Sequence, residues 1–371
     1  MPRKYTKKLI VAMNERQFVR VIDGEEVLVK PLPDSDTIGA MDRRLYKMSR
    51  LTPILVKFIP KKTIKTAESH QILEGVRILF NKVNSTPIVD EKVETEVFEV
   101  QVKDGTMITV TKFESEHTLE NAPVLYYIHG GGFFAGSTDV VADALKLIVV
   151  NTGIIIYSVD YRLAPEYPYP IGHQDVYTGL QWVHEHTKQH GGDPANIFVA
   201  GDSAGGNLAA YCSNRNINEG TNLIKGQLLL YPTVNIGGVS DTYVDFSWDK
   251  IAVYKKHKKV IAPGLKMFAG AIERLGDILD VSDEEAMTQY ITPYLEVSPQ
   301  SPVSFITVGE HDFLTVETIA YARKLKKAGV HTETILYNGV GHAYLDQIGH
   351  LPQAEDCAIE MGKFILKHSG R

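Results

Sequence analysis

The chain has 371 residues, 44% of them hydrophobic and 23% charged, a composition typical of a soluble globular protein with one large or two small domains. Its formal net charge of −6 leaves no basic excess that would favour a nucleic acid or anionic lipid. The two cysteines are too few for a disulfide framework or a structural zinc site. The first apolar stretch, residues 9–13, is too short for a secretory signal or a membrane span. These observations favour a cytoplasmic protein with no membrane segment and no nucleic-acid partner.

From about residue 97 the chain is predicted to alternate between strands and helices, whereas residues 1–90 are predicted to be helix-rich and carry no catalytic motif. Alternating apolar and polar residues indicate strands at 97–103 and 107–113, and Asp104-Gly105 between them indicates a hairpin turn. Unbroken apolar runs, typical of strands buried on both faces of a mostly parallel sheet, follow at 124–128, 154–159, 197–200, 228–231, 305–308 and 334–337. Helical patterns that would cover this sheet lie at 138–151, 172–190, 204–218, 314–328 and 353–368.

Residues 237–290 interrupt this alternation between the strands predicted at 226–234 and 304–309. They contain a basic run, a helical pattern and an acidic cluster. The charges alone predict an exposed insertion. Because open α/β sheets place their sites at the carboxyl ends of the strands, the insertion is also a candidate lid over such a site.

An apolar strand is joined directly to a helix through Gly201-Asp202-Ser203-Ala204-Gly205. So tight a corner crowds the backbone, and glycines two residues before and after the serine remove the side chains that would collide. This is the G-x-S-x-G pattern of a nucleophile elbow, which holds its serine strained and exposed above the sheet. Ser203 is therefore the candidate nucleophile, and we expect the Asp202 side chain to point away from it in a structural role.

A second glycine-rich turn, His129-Gly130-Gly131-Gly132, also follows an apolar strand. The N–H groups of these glycines can approach a ligand closely because no side chain blocks them, although a flexible turn would have the same composition. Together with the elbow, the turn is better interpreted as an oxyanion hole, in which N–H groups of the glycines and of Ala204 bind a developing negative charge.

A nucleophilic serine needs a base to accept its proton and an acid to orient that base, and in this type of hydrolase the acid and then the histidine follow the serine. The next-to-last predicted strand ends in Glu310, His311 and Asp312, and the last is followed by a glycine-flanked loop with His342. We predict Asp312 as the acid and His342 as the base, with Glu310 as the alternative acid.

The other histidines are weaker candidates. His311 adjoins the predicted acid and is expected to point away from the site, and His350 lies near the last helix. His184, His186 and His190 resemble a metal cluster, but only the last two share a helix face and no carboxylate-rich motif accompanies them. We therefore predict no metal site and no cofactor.

These motifs make the chain similar to the hormone-sensitive-lipase group of α/β-hydrolases. The similarity extends over about residues 95–368, and residues 1–90 match only as a cap region. It depends on HGGGF at 129–133, VDYRLAPEYPYP at 159–170, VAGDSAGGNLAA at 199–210 and YARKLKKAGV at 321–330.

The resemblance implies an α/β-hydrolase fold, with a mostly parallel eight-stranded sheet flanked by helices and a helical cap that shapes the acyl pocket. It divides the chain into an N-terminal helical cap segment at 1–90 and a catalytic domain at 91–371, with a cap insertion at about 237–290. Members of the group often pair through the last strand or helix, so a homodimer is compatible with the resemblance.

By the same resemblance, Ser203 is the nucleophile, His342 the general base and Asp312 the orienting acid. The implied oxyanion donors are Gly131, Gly132 and Ala204. Supporting roles fall to His129, Gly130, Gly201, Asp202 and Gly205, and Arg162 and Glu166 are expected to buttress the site.

The sequence departs from the group in two places, both beside reacting residues. The acid is usually followed by Pro-Leu-x-Asp-Glu, whereas Asp312 is followed by FLTVE, and His342 precedes Ala343-Tyr344 instead of Gly-Phe. The reacting residues themselves are kept, so these changes concern the shape of the pocket. Aromatic residues that are candidates for its wall, although such residues are more often core, are Phe58, Phe80, Tyr243, Phe246, Trp248 and Phe268.

The implied activity is that of a serine carboxylesterase, which hydrolyses a small ester substrate through an acyl-enzyme intermediate. Because no strongly apolar lid is visible in the sequence, short- to medium-chain acyl esters are the expected substrates. An amide or N-acyl hydrolase is an alternative, because the motifs do not determine the leaving group. A non-catalytic ligand-binding protein on this scaffold is a second alternative. The plant gibberellin receptors are an example of such a protein, and they lack the catalytic base. This sequence keeps the base as His342.

Overall fold

The computed structural model describes residues 3–51 and 67–370. These residues form a fold built around a single sheet of ten strands. The strands are β1 (Phe18–Ile22), β2 (Glu25–Lys30), β3 (Val93–Gln101), β4 (Met107–Ser115), β5 (Ala122–Ile128), β6 (Ile155–Asp160), β7 (Gly192–Asp202), β8 (Gly226–Leu230), β9 (Val303–Gly309) and β10 (Thr332–Tyr337). Their spatial order is β1-β2-β10-β9-β8-β7-β5-β6-β4-β3. In this spatial order, the seven strands β2-β10-β9-β8-β7-β5-β6 are parallel to their neighbours. The β1–β2, β3–β4 and β4–β6 pairs are antiparallel.

Strand β5 illustrates how the middle of the sheet is buried on both faces. Val124, Tyr126 and Ile128 belong to one hydrophobic core, and Leu125 and Tyr127 belong to the core on the opposite face. Successive side chains of a strand point to opposite faces, so a strand covered on both sides needs an apolar residue at every position. The six unbroken runs predicted as strands are confirmed as β5 to β10.

Helices cover both faces of the sheet. Helices α4 and α11 pack into one core, α5 and α6 pack into the other, and α10 contributes to both. In the part of the chain described, no helix is both long and apolar enough to cross a membrane. The α-helices are α1 (Lys8–Glu15), α2 (Arg43–Leu51), α3 (Ala67–Phe80), α4 (Thr138–Thr152), α5 (Ile171–His186), α6 (Ala204–Glu219), α7 (Lys258–Ile272), α8 (Leu275–Leu279), α9 (Asp283–Ala286), α10 (Thr315–Lys327) and α11 (Pro352–Ser369).

The sheet has ten strands instead of the eight predicted, because β1 and β2 form a hairpin that pairs with the outer edge of β10. The two strands are joined by Asp23 and Gly24, which have φ values of 51° and 81°. An Asp-Gly pair suits a two-residue turn that needs positive φ at both positions. The same signal correctly predicted the β3–β4 hairpin around Gly105, which has φ 86°.

The predicted insertion at 237–290 carries helices α7, α8 and α9. In the described part of residues 1–90, helices α1, α2 and α3 accompany the β1–β2 hairpin, so this segment is not helical throughout. Residues 52–66, which belong to the predicted N-terminal cap segment, lie outside the described residues. The division into cap and catalytic domain stays a prediction.

Candidate active site

Four of five neighbouring parallel strands lead into predicted site residues at one edge of the sheet. His129 follows β5 directly and Ser203 follows β7 directly, whereas Asp312 and His342 lie in the loops after β9 and β10. The carboxyl ends of parallel strands meet at the same edge, which is how residues far apart in sequence come together here.

The backbone at Ser203 is strained, with φ 55° and ψ −119°, a conformation that residues other than glycine rarely adopt. A Cβ atom on Gly201 would lie 2.2 Å from the carbonyl oxygen of Gly205, and one on Gly205 would lie 2.0 Å from that of Ile128. Both corners of the elbow therefore require glycine. The N–H of Ser203 donates to the carbonyl of Leu230 at 2.9 Å, which anchors the strained residue to the neighbouring strand.

Ser203, His342 and Asp312 form one hydrogen-bonded chain. Nε2 of His342 lies 2.8 Å from Oγ of Ser203, and Nδ1 lies 2.7 Å from Oδ2 of Asp312. The Asp312 side chain is fully buried, and its other oxygen accepts the N–H of Leu314 at 2.9 Å. A carboxylate at Nδ1 favours the tautomer with the proton there, which leaves the lone pair of Nε2 directed at the serine hydroxyl.

The glycine loop presents backbone N–H groups beside this serine. Gly131 and Gly132 have φ values of 114° and 63°, and the carbonyl of Gly131 accepts the N–H groups of Phe134 and Ala135 in a tight turn. Within the described residues, the N–H groups of Gly131, Gly132 and Ala204 donate to no protein acceptor. Gly131 and Gly132 line the same cavity as Ser203. Unpaired donors of this kind can bind an oxyanion.

Asp202 ties the elbow to the glycine loop. Its Oδ1 accepts the N–H of Gly130 and the hydroxyl of Tyr127, both at 2.9 Å. A Cβ atom on Gly130 would lie 2.3 Å from Oδ2 of Asp202, so this approach requires glycine. The His129 ring is buried and stacks on Tyr161 with ring centroids 4.5 Å apart. The contact between Asp202 and Gly130 thus holds the two motifs against each other.

A second carboxyl group, Asp346, lines the cavity together with Asp202, and the sequence analysis did not find it. Burial raises the pKa of both carboxyls, and for Asp346 the charge of Asp202 raises it further. The hydrogen bonds to Tyr127 and Gly130 oppose the rise for Asp202. The only local sign of Asp346 is its place four residues after the predicted base.

The cavity over Ser203 has a volume of about 150 Å³ and a mostly apolar wall. Helix α3 contributes Phe80, and α7 and α8 contribute side chains between Met267 and Ile278. The ring of Phe268 lies 4.1 Å from that of His342, centroid to centroid. Three other aromatic candidates do not line this cavity: Tyr243, Phe246 and Trp248. The remaining candidate, Phe58, lies outside the described residues.

The alternative acid, Glu310, makes no hydrogen bond to His342 among the described residues. Its carboxylate accepts the N–H of Gly339 at 2.9 Å, and burial raises its pKa to about 7. His311 is also buried, which lowers its pKa to about 4, and its Nε2 lies 3.2 Å from the carbonyl oxygen of Ala252. Neither side chain lines the cavity over Ser203.

The remaining histidine candidates make other contacts. His350 lies 2.8 Å from the hydroxyl of Thr86, and His190 lies 3.0 Å from that of Tyr157. His186 contacts the carbonyl of Trp182 in its own helix. In the described residues these histidines form no metal-binding group.

Two arginines support the loops around the cavity. Arg162, expected as a buttress, forms a bidentate ion pair with Asp175 at 2.8 and 2.7 Å. Arg77 of α3 was not predicted. It donates to the carbonyls of Phe134 and Ala164 at 2.6 and 2.9 Å and pairs with Glu166. Helix α3 is thereby fastened to the glycine loop and to the loop after β6.

Comparison with known proteins finds α/β-hydrolases and esterases similar to this chain. The family described as alpha/beta hydrolase fold matches residues 125–346. The carboxylesterase NlhH of Mycobacterium tuberculosis is 33% identical over 237 residues, which are 64% of this chain and 71% of that protein. Esterase LipI of the same organism is 34% identical over 239 residues, 63% of this chain and 69% of that protein. The structure of an esterase from Pyrobaculum calidifontis superposes with a TM-score of 0.71 at 25% identity, over 89% of this chain and 99% of that one.

Proposed function

The chain is a carboxylic ester hydrolase of the α/β-hydrolase family, in its hormone-sensitive-lipase group, and we propose that it acts as a serine carboxylesterase through Ser203, His342 and Asp312. The observation that carries the proposal is the continuous hydrogen-bonded chain from Oγ of Ser203 to the buried carboxylate of Asp312. A serine hydroxyl is a weak nucleophile until a base is held within reach of its proton.

In the proposed first step, Nε2 of His342 takes the proton of Ser203 while Oγ attacks the ester carbonyl. Asp312 stabilises the imidazolium through its hydrogen bond to Nδ1 and remains ionised. The carbonyl oxygen gains negative charge and accepts hydrogen bonds from the N–H groups of Gly131, Gly132 and Ala204. These donors are fixed in advance by the elbow and by the turn after Gly131, so binding the oxyanion needs little reorganisation.

The tetrahedral intermediate then collapses, the alcohol leaves with the proton from Nε2, and an acyl group stays on Ser203. A water molecule repeats the sequence on this acyl-enzyme: His342 takes its proton, and the carboxylic acid is released as Oγ regains a proton. None of the steps requires a group from outside the chain other than the ester and water.

We propose short- to medium-chain acyl esters as the substrates. The cavity beside Ser203 is apolar, and helices α3, α7 and α8 close it as a cap. Burial of each methylene of an acyl chain contributes about 0.8 kcal/mol, so kcat/KM rises by about fourfold per carbon until the cavity is full. Beyond that length an added carbon meets the cap or solvent, and the gain ends.

The test is hydrolysis of a series of p-nitrophenyl esters by the wild type and by Ser203→Ala. We expect the variant to lose about 10⁶-fold in kcat, because the triad acts as a unit. The matched control is Ser213→Ala, which removes a buried hydroxyl of α6 that has no hydrogen-bond partner among the described residues and should leave the rate unchanged.

A fluorophosphonate probe gives an independent readout, since it labels a serine only where a base activates it. We expect one label on the wild type, at Ser203, and none on Ser203→Ala. Wild-type turnover by Ser203→Ala would overturn the mechanism. Faster hydrolysis of matched amides than of esters would instead keep the mechanism and replace the substrate class.

A further inference from the structure

Three metal-ligating side chains meet at the amino end of β10, away from the cavity over Ser203. His331 precedes the strand, Glu333 lies within it, and His368 lies in the last turn of α11. Nε2 of His331 lies 3.3 Å from Oε1 of Glu333, and Nε2 of His368 lies 3.5 Å from the same oxygen. Among the described residues, these three form the one group of three or more His, Cys, Asp or Glu side chains whose ligand atoms all lie within 4.8 Å of one another.

We propose that His331, Glu333 and His368 bind a zinc ion that joins the amino end of β10 to the carboxyl end of α11. Two imidazole nitrogens and one carboxylate oxygen are ligands that zinc prefers. Ligand atoms placed tetrahedrally at 2.0–2.1 Å from zinc are separated by about 3.4 Å. The two nitrogen-to-oxygen distances are already close to that value, so the ion can be bound with small rotations of side chains.

The surroundings favour a preformed site. His368 packs on the ring of Phe364, with centroids 4.4 Å apart, and its side chain is 17% exposed, so its orientation is restricted. The His331 side chain is 54% exposed and gives solvent access to the group. The three side chains come from the loop before β10, from β10 itself and from α11, so binding constrains the relative position of these elements.

Lys367 competes with a metal at this site. Its ammonium donates to Oε1 of Glu333 at 2.6 Å, the oxygen that both histidines approach. The ion must displace this ammonium, which can move into solvent because the Lys367 side chain is 61% exposed. The proposal therefore has a consequence that a simple ion-pair cluster would not share: removal of Lys367 tightens zinc binding.

This site is independent of the proposed esterase chemistry. His342 follows the carboxyl end of β10, whereas His331 precedes its amino end, and a six-residue strand separates the two ends by about 20 Å. Zinc binding can therefore be measured without reference to hydrolysis, and failure of either proposal leaves the other intact.

The test is titration of the chelator-treated full chain, without added histidines, with zinc chloride in competition with a chromophoric chelator. We expect one site on the wild type. His331→Ala and Glu333→Gln should lower the zinc affinity by more than about tenfold. Loss of a residue that only hydrogen-bonds to a metal ligand already lowers the affinity by about that factor. Lys367→Gln should strengthen zinc binding. The matched control is His117→Ala, which removes an exposed histidine from another part of the surface and should change nothing.

Thermal unfolding checks the proposed link between β10 and α11. A ligand that binds only the folded state raises Tm, so zinc should raise the Tm of the wild type and of Lys367→Gln but not that of His331→Ala. Unfolding curves without zinc verify that each variant is folded. Zinc affinity that is equal in the wild type, His331→Ala and Glu333→Gln, or absent from all three and from Lys367→Gln, overturns the proposal.

Discussion

The carboxylate of Asp202 accepts a hydrogen bond from the backbone N–H of Gly130 at 2.9 Å, so the residue before the proposed nucleophile holds the loop that carries the proposed oxyanion donors. Two motifs that are 72 residues apart in the sequence are thus joined by a direct hydrogen bond. We expect the positions of the N–H groups beside Ser203 to depend on this contact.

Asp202→Ala should therefore reduce both activity and stability. It leaves the N–H of Gly130 and the hydroxyl of Tyr127 buried without an acceptor, at roughly 1–3 kcal/mol for each group. Displacement of the oxyanion donors should lower kcat by about 10²-fold. Steady-state kinetics and urea unfolding measure the two effects. Asp202→Asn is the matched control, because its amide oxygen can still accept both bonds, and unchanged kcat in Asp202→Ala would contradict the role.

Arg77→Met should lower kcat/KM with little change in the fold. Without the guanidinium, the carbonyls of Phe134 and Ala164 lose the donor that fastens α3 to the glycine loop. A small misplacement of that loop costs up to about 10²-fold in rate. Arg215→Met is the control, because that arginine pairs with Glu219 within its own helix. Equal kinetic losses in the two variants would show that the effect is not specific to the loop.

Phe268→Ala should shift the preferred acyl chain to greater length. The ring packs against His342 and forms part of the cavity wall, so its removal makes room for additional carbons. Each newly buried methylene should add about fourfold to kcat/KM, from about 0.8 kcal/mol. A chain-length series measures the shift. Trp248→Ala, which removes an exposed aromatic of the same insertion, should leave the profile unchanged; an unshifted profile in Phe268→Ala would place the acyl group elsewhere.

Glu317→Gln should stabilise the protein at alkaline pH. Burial raises the pKa of Glu317 to about 8 from an ordinary value of 4.5, so the folded state retains a proton that the unfolded state has lost between these values. The Glu317 carboxyl therefore makes its full contribution to the free energy of unfolding below pH 4.5. This contribution is lost as the pH rises from 4.5 towards 8. The N–H of Val234 donates a hydrogen bond to the Glu317 carboxyl at 2.7 Å. A glutamine side chain has an oxygen that can accept this bond, and it does not titrate.

The measurement is the difference in unfolding free energy between Glu317→Gln and the wild type, from denaturant curves at several pH values. The difference should grow in favour of the variant from pH 5 to about pH 8 and then level off. The comparison cancels contributions of other groups, including Glu310, whose pKa is raised in the same direction, and His311, whose pKa is lowered. A difference that does not vary with pH would mean that Glu317 is ionised in the folded protein.

The elbow could be located from sequence because its causes are local. Gly201 is required by a contact within the tight corner itself, and Gly205, the apolar strand before Ser203 and the helix after it lie in the same short segment. Asp312 and His342 could be proposed because chain order restricts the search to the last two strands. The distances that join them are properties of the folded sheet and only the coordinates provide them.

Arg77 and Asp346 had no comparable local signal. Arg77 lies on an amphipathic helix where an arginine is an ordinary surface residue, and its partner carbonyls are 57 and 87 residues away. Asp346 looks like a polar residue in a loop until the fold brings it beside Asp202 in the cavity. The β1–β2 hairpin is different: its Asp-Gly turn signal was present, but the segment was interpreted as a helix-rich cap and no strand was predicted in it.

That hairpin changes how two copies of the chain could associate. Strand β2 pairs with Ile335, Leu336 and Tyr337 at the outer edge of β10, so this half of the last strand is not available to a partner. The exposed edge is transferred to β1, which presents Phe18, Val19 and Val21 to solvent beside Arg20. An antiparallel pairing of two β1 strands centred on Arg20 would place like charges opposite each other, which opposes sheet extension at this edge. At this edge of the sheet, Arg20 of the N-terminal hairpin thus opposes growth into a continuous intermolecular sheet.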